Sequence, residues 1–236
     1  MEVGSLYREP EVQKEIAWGA LELRDVFRIY RSGPAETVAL RGLDLRVEPR
    51  ELVAVFGPSG SGKSTMLHLA GGLDRPSAGE VRVFGRSLTA LGEHELAAYR
   101  AREVAIVFQS DNLLTWLSAR ANVELSAALA GKHDRDAAEQ ALDAFGLDSR
   151  SEVRAGQLSG GEQQRVAIAA AAVRQAPLVL ADEPTAELDE ANERLVLDAL
   201  HRLRDDYGST VVVVTHSNAI AEAADRVIEI VDGRVA

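Results

Sequence analysis

The sequence predicts an α/β fold with a mostly parallel sheet, an antiparallel β subdomain at the N-terminal end, and a helical subdomain inserted in the middle. Three observations predict it. The apolar runs Leu52-Val53-Ala54-Val55-Phe56, Val104-Ala105-Ile106-Val107-Phe108, Leu178-Val179-Leu180-Ala181-Asp182, Thr210-Val211-Val212-Val213-Val214 and Val227-Ile228-Glu229-Ile230 have no polar alternation and are mostly followed by helical patterns, as in strands buried on both faces. Before residue 50 the pattern changes to strict alternation, as in Leu21-Glu22-Leu23-Arg24-Asp25-Val26 and Leu43-Asp44-Leu45-Arg46-Val47, which marks half-buried strands. From about Asn112 to Arg174 the composition shifts towards alanine, leucine and charge.

In order along the chain, residues 1–19 read as a polar leader, lightly docked or frayed. A turn at Ser32-Gly33-Pro34 separates the first alternating strand from Val38-Ala39-Leu40 and the strand after it, a hairpin-rich start. A helix following Phe56 ends near Gly71-Gly72, and Gly79-Glu80-Val81-Arg82-Val83-Phe84-Gly85 is a further strand. Helices are expected over 121–129, 135–145, 166–173, 192–205 and 218–224. The chain then divides into the leader and one domain over 20–236, with its core at 20–109 and 175–236 and the helical subdomain at about 110–174.

Composition limits the function classes. The 236 residues carry 37 acidic and 26 basic side chains, a net charge of −11, and no long basic run, so direct nucleic-acid binding is not expected. There is no cysteine for a disulfide or a thiolate metal site, in keeping with a cytoplasmic address. No apolar stretch approaches the roughly 20 residues of a membrane helix, so any contact with a membrane is expected through a partner.

Three motifs carry chemistry. Gly57-Pro58-Ser59-Gly60-Ser61-Gly62-Lys63-Ser64-Thr65, between an apolar strand and a helix, fits the phosphate-loop pattern. In it, backbone N–H groups wrap a polyphosphate, the lysine reaches the β/γ end and the hydroxyl ligates Mg²⁺, which makes the core a P-loop nucleotide triphosphatase. Leu178-Val179-Leu180-Ala181-Asp182-Glu183-Pro184 delivers two acids at a strand end: Asp182 to hold Mg²⁺, Glu183 to orient or deprotonate water. A solvated acidic pair opening a turn before Pro184 is the plainer alternative. Leu158-Ser159-Gly160-Gly161-Glu162-Gln163-Gln164-Arg165 opens a helix with a hydroxyl and free N–H groups, a second anion site that one nucleotide does not need and a second subunit would.

Together with Gln109, Glu187-Leu188-Asp189 and His216, these motifs stand in the order of the ATP-binding-cassette ATPases, and the chain resembles that family from about Leu21 to Val235. Gly72-Leu73-Asp74-Arg75-Pro76 and Val107-Phe108-Gln109-Ser110 look most like the lipoprotein-releasing and macrolide-exporter type. The resemblance implies an ATPase acting as a head-to-tail homodimer when ATP is bound. Residues 57–65 of one subunit would then meet Ser159, Gly160, Gly161, Glu162 and Asp189 of the other. It implies Ser64, Gln109 and Asp182 around Mg²⁺, Lys63 on phosphate, His216 on the γ-phosphate beside Glu183, and Tyr30 under adenine. It further implies an integral membrane permease on a separate chain, with the cassette on the cytoplasmic face. A switch acting on a non-transporting membrane partner would present the same ATP site.

Taken singly, several of these residues have ordinary readings: Tyr30 as a rim or packing residue, Gln109 as a strand end, His216 as a capping or core histidine. Trp116 and Leu117 are either core or part of a groove for a partner's helix. The chain departs from the family pattern at Ala170, where arginine is common, at Ala186-Glu187, where smaller or amide residues are usual, and at Thr115-Trp116-Leu117.

Overall fold

The computed structural model describes residues 18–33, 35–132, 134 and 136–236. A long hairpin of β1 (Leu21–Ser32) and β2 (Ala35–Val47) leads into β3 (Leu52–Phe56) and α1 (Lys63–Ala70). Next come β4 (Ala78–Val83), β5 (Arg86–Ser87), α2 (Glu93–Arg102) and β6 (Val104–Val107), then α3 (Ala119–Leu129), α4 (Ala137–Ala144) and α5 (Gly160–Arg174). Strands and helices alternate thereafter: β7 (Leu178–Asp182), α6 (Glu190–Asp205), β8 (Thr210–Val214), α7 (Asn218–Ala223), β9 (Arg226–Val231) and β10 (Arg234–Val235).

The sheets explain both sequence patterns. β9, β3, β8, β7 and β6 pair in parallel in that order, with β10 antiparallel at the edge. Alternate residues of these strands enter two different cores. Ala54, Val107, Val179, Ala181, Val211 and Val213 pack towards α3, α5 and α6, whereas Val53, Val55, Leu180, Val212 and Val214 pack towards α1 and the antiparallel sheet. Both faces are dry, so each valine or leucine contributes about 1.5–3 kcal/mol of burial and no position favours a polar residue. The antiparallel sheet, ordered β2-β1-β4-β5, buries one face only, hence its alternation.

The structure corrects several expected boundaries. Val38-Ala39-Leu40 and Leu43 to Val47 belong to one strand, continuous through a bulge at Gly42 that shifts the register between Val26↔Leu43 and Phe27↔Arg41. Phe84 and Gly85 form a turn with positive φ after β4, and Phe108 lies just beyond β6. α5 starts at Gly160, well before residue 166, because Ser159 caps it. Of the expected helix over 135–145, α4 covers Ala137–Ala144; Arg135 lies outside the described residues, as do Pro34 of the hairpin turn and residues 1–17 of the leader.

α2 escaped the sequence reading. Only Leu96 and Tyr99 of its ten residues are buried, too few for an apolar stripe. Its remaining signals are terminal charges, Glu93 and Glu95 in the first turn and Arg100 and Arg102 in the last, which oppose the helix dipole. The Tyr99 hydroxyl donates to the Ala70 carbonyl at 2.6 Å and so ties α2 to the end of α1. Burial pushes the phenol far above its usual range, so it stays a neutral donor. Tyr99→Phe leaves that buried carbonyl unpaired and is expected to lower stability by about 1–2 kcal/mol in chemical denaturation, with the fold retained.

Candidate functional site

The loop between β3 and α1 is held open by its surroundings. A Cβ on Gly57 would lie 2.1 Å from the Ile230 carbonyl oxygen, and one on Gly62 would lie 2.5 Å from that of Ala39. Both glycines have positive φ, 150° and 102°, so side chains are excluded twice over. The loop curls around a cleft of about 560 Å³ bordered by residues 57 and 59–65, Thr37 to Ala39 of β2, Gln109, Glu183, Ala186 and His216. Lys63 is buried and folds back, donating Nζ to the carbonyls of Gly57 (2.7 Å) and Pro58 (3.0 Å).

The ends of β6, β7 and β8 bring the other groups to the same cleft. Ser64 Oγ donates to Asp182 Oδ1 at 3.2 Å, so a hydroxyl and a carboxylate sit where one hard cation can take both. Among the described residues no cluster of three or more His, Cys, Asp or Glu forms a closed metal cage. The donor set fits Mg²⁺, which takes few protein ligands and completes its shell from phosphate and water. Burial raises the Asp182 carboxyl above the usual range, against the Ser64 hydrogen bond and the charges of His68 and Lys63.

Glu183 follows in a left-handed conformation, φ 47°, uncommon for a residue with a side chain. Its N–H donates to the Val214 carbonyl at 2.8 Å, and its Oε2 accepts from His216 Nδ1 at 2.8 Å and from the His216 N–H at 3.2 Å. With Nδ1 turned to the carboxylate, Nε2 is the ring nitrogen left for a ligand.

Gln109 enters the cleft from the segment after β6. Its Nε2 donates to Glu187 Oε1 at 3.2 Å. Beneath it the buried Gln164 pairs with the half-buried Asn112, residues to which sequence analysis assigns no role. Gln164 Nε2 donates to the carbonyls of Phe108 (2.9 Å) and Gln109 (2.8 Å), and its Oε1 accepts from Asn112 Nδ2 at 2.9 Å. The spacing of Gln164 within α5, five residues after the Ser159 cap, was the available signal.

Ser159, Gly160, Gly161, Glu162 and Asp189 do not border this cleft. They gather instead where α5 and α6 begin: Ser159 caps α5, Asp189 caps α6 through the N–H of Asn192 at 2.8 Å, and Gly161 packs against Asn192. The helix start is less free than expected. Ser159 Oγ accepts from the Glu162 N–H and Glu162 Oε2 from the Ser159 N–H, a reciprocal capping box that leaves the Gly160 and Gly161 N–H groups for a ligand. Tyr30 also stands outside the cleft lining. Its hydroxyl donates to Asp74 Oδ2 at 2.9 Å and Arg28 lies 4.4 Å over its ring, while its cross-strand partner Thr37 borders the cleft.

A separate groove of about 190 Å³ runs between α3 and α5, bordered by Leu114, Leu125, Leu129 and Ala170. Trp116 beside it is 67% exposed, which excludes a core role, and Leu114, Leu125 and Leu129 are exposed as well. Ala170 forms part of the groove wall, away from the capped start of α5.

The family described as ABC transporter matches residues 40–186. A macrolide export ATP-binding/permease protein, MacB, of Rhodopseudomonas palustris is 47% identical over 223 residues, 93% of this chain and 34% of that protein. The chain thus spans about a third of the length of such relatives. A lipoprotein-releasing system ATP-binding protein, LolD, of Chromohalobacter salexigens is 43% identical over 91% of this chain and 92% of its own. A dimeric ATP-binding cassette solved in a post-hydrolysis state with ADP and Pi superposes with a TM-score of 0.83 at 37% identity, covering 91% of this chain and 96% of that one.

The raised Asp182 pKa has a definite sign. Its contribution to stability is complete below the unfolded-state value and is lost as pH rises through the folded-state value, so the ionised carboxylate opposes folding of the ligand-free protein. Asp182→Asn is expected to raise the ligand-free Tm at pH 8, with the difference narrowing as pH falls towards the ordinary aspartate range. Thermal melts across pH check this.

Proposed function

Because the chain belongs to the ABC transporter family of ATP-binding cassettes, we propose that it binds ATP with Mg²⁺ over residues 57–65 and hydrolyses it within a head-to-tail pair, driving a membrane permease. The observation that carries this is the convergence on one cleft of a glycine loop with its lysine, a Ser64–Asp182 pair, Gln109, and the Glu183–His216 couple. Each supplies a distinct requirement of in-line phosphoryl transfer to water.

In this reading the N–H groups of residues 60–65 take the phosphate oxygens, and Lys63 Nζ exchanges the carbonyls of Gly57 and Pro58 for the β- and γ-phosphates. Ser64, Asp182 and Gln109 would hold Mg²⁺, which would neutralise phosphate charge. Glu183 orients water and accepts its proton, and His216 Nε2 donates to the γ-phosphate while Nδ1 keeps Glu183 in place. Tyr30 stacks under adenine after leaving Asp74, at the β2 edge of the cleft. Ser159, Gly160, Gly161, Glu162 and Asp189 lie outside their own cleft, and so they serve the cleft of a second copy. The γ-phosphate then provides contacts that ADP lacks, the differential affinity that closure of the pair requires.

The groove beside α3 supports the membrane-partner half of the reading. Its exposed leucines Leu114, Leu125 and Leu129, with the exposed Trp116 two residues along from Leu114, suit an amphipathic helix of a permease, placed on a separate chain by analogy with the lipoprotein-releasing ATP-binding relative. No helix among the described residues is long and apolar enough to cross a membrane, so this contact would hold the cassette at the cytoplasmic face.

Glu183→Gln keeps an acceptor for His216 but no base. The expected result is ATP affinity within about threefold of wild type, turnover reduced by at least about 100-fold, and an ATP-held dimer in size-exclusion chromatography. Turnover near the wild-type rate, or a monomer with ATP where wild type pairs, overturns the assignment. For the partner, Trp116→Glu is expected to leave basal ATPase and Tm unchanged while abolishing co-purification of a polytopic membrane protein from native membranes; retention of that protein would exclude the groove.

A further inference from the structure

Gln109 is fixed at both ends by different parts of the protein. Its backbone carbonyl and that of Phe108 are held by Gln164, which is 5% exposed and reaches them from α5. Among the described residues its side chain hydrogen-bonds to Glu187 alone, on the turn that leaves β7. That turn is itself ordered, with the Ala186 N–H donating to the Glu183 carbonyl at 3.2 Å and the Leu188 N–H to the Thr185 carbonyl at 3.1 Å. The backbone positions of both partners are therefore set, and what remains adjustable is the orientation of the Gln109 carboxamide.

A carboxamide has one donor end and one acceptor end of nearly equal shape. A carboxylate beside it chooses between them, because Oε1 against Glu187 would face two negative oxygens without a proton. With Nε2 committed to Glu187, Oε1 is the free end, in a cleft that also holds Ser64 and Glu183. We infer that Glu187 is a positioning residue for the cation: it holds the Gln109 amide so that its oxygen, the only end a metal can use, is presented to Mg²⁺ held by Ser64 and Asp182. The negative charge also polarises the amide and makes that oxygen a better ligand, as outer partners of metal-bound side chains do. This rests on the ATP–Mg²⁺ reading of the cleft. It also gives a function to a residue at which this chain departs from the family pattern, where a smaller or amide side chain would offer no charge.

The test measures how much a divalent ion strengthens binding of a non-hydrolysable ATP analogue: the affinity with Mn²⁺ divided by the affinity in EDTA. Glu187→Ala is expected to reduce that ratio about tenfold while the EDTA affinity and the Tm stay at wild-type values. Glu187→Gln, which keeps an acceptor oxygen, is expected to stay within about threefold of wild type. In a Gln109→Ala background Glu187→Ala is expected to have no further effect, since the two act in series. An unchanged ratio in Glu187→Ala, or an equal fall with and without metal, overturns the inference while leaving the nucleotide site standing. Failure of the wild-type protein to bind the analogue with Mn²⁺ present overturns the site reading and this inference with it.

Discussion

Everything at the cleft depends on how the loop of residues 57–62 is gripped between the two sheets. Gly57 touches the carbonyl of Ile230 on β9, Gly62 touches that of Ala39 on β2, and the Gly233 N–H, in the turn between β9 and β10, donates to the Ser61 carbonyl at 2.9 Å. The same turn is tied to β2, since the Gly233 carbonyl accepts from the Arg41 N–H at 3.0 Å. Backbone meets backbone at each point, so the loop cannot sag into its own cavity when no anion fills it. An anion site made of N–H groups works only if the loop is shaped before the anion arrives, because ordering it at binding would consume the affinity.

The parallel sheet supplies the second constraint. β3, β6, β7 and β8 all run the same way, so the residues after each strand emerge at one edge: the glycine loop, Gln109, Asp182 with Glu183, and His216. An antiparallel arrangement would scatter them to both edges. Parallel pairing also requires crossover connections, and the largest of these, between β6 and β7, contains α3, α4 and α5. The crossover that satisfies the sheet therefore also delivers the capped start of α5 and the groove beside α3. Gln164 couples the two, since it belongs to α5 and holds the carbonyls after β6.

What was legible in the sequence follows from these constraints. Strands buried on both faces leave uninterrupted apolar runs, and β7 and β8 have the boundaries those runs imply. Glycines that admit no Cβ, and acids at a strand end, read as chemistry because few other roles need them together. α2 was invisible because two buried residues suffice to dock it, and the hairpin was read as broken because a bulge at Gly42 interrupts the alternation without ending the strand. Gln164 and Glu187 were in view as letters of motifs, yet their roles lie in distances between segments far apart in the chain. The groove was half legible: Trp116 could be noticed as unusual, but only the fold shows that it is uncovered, near the groove that α3 and α5 form.

Each reactive group at the cleft has a resting partner within the chain. Lys63 donates to loop carbonyls, Ser64 to Asp182, His216 to Glu183, and Gln109 to Glu187. Buried Lys63 would be expensive to leave unpaired, and Ser64, Gln109 and His216, which face solvent, are paired as well. A nucleotide must therefore exchange these bonds rather than add to them, and the net gain from groups already satisfied is small. The exchange falls unevenly along a triphosphate. On the proposed reading, the loop N–H groups serve phosphates common to ATP and ADP, Lys63 reaches the γ-phosphate as well as the β-phosphate, and Glu183 and His216 serve the third phosphate and its water. On that reading, recognition of the third phosphate would require the Glu183–His216 couple, held by a backbone at φ 47° and by the end of β8, to accept a new neighbour without losing its own bond. A histidine can do both, because its two ring nitrogens face opposite ways.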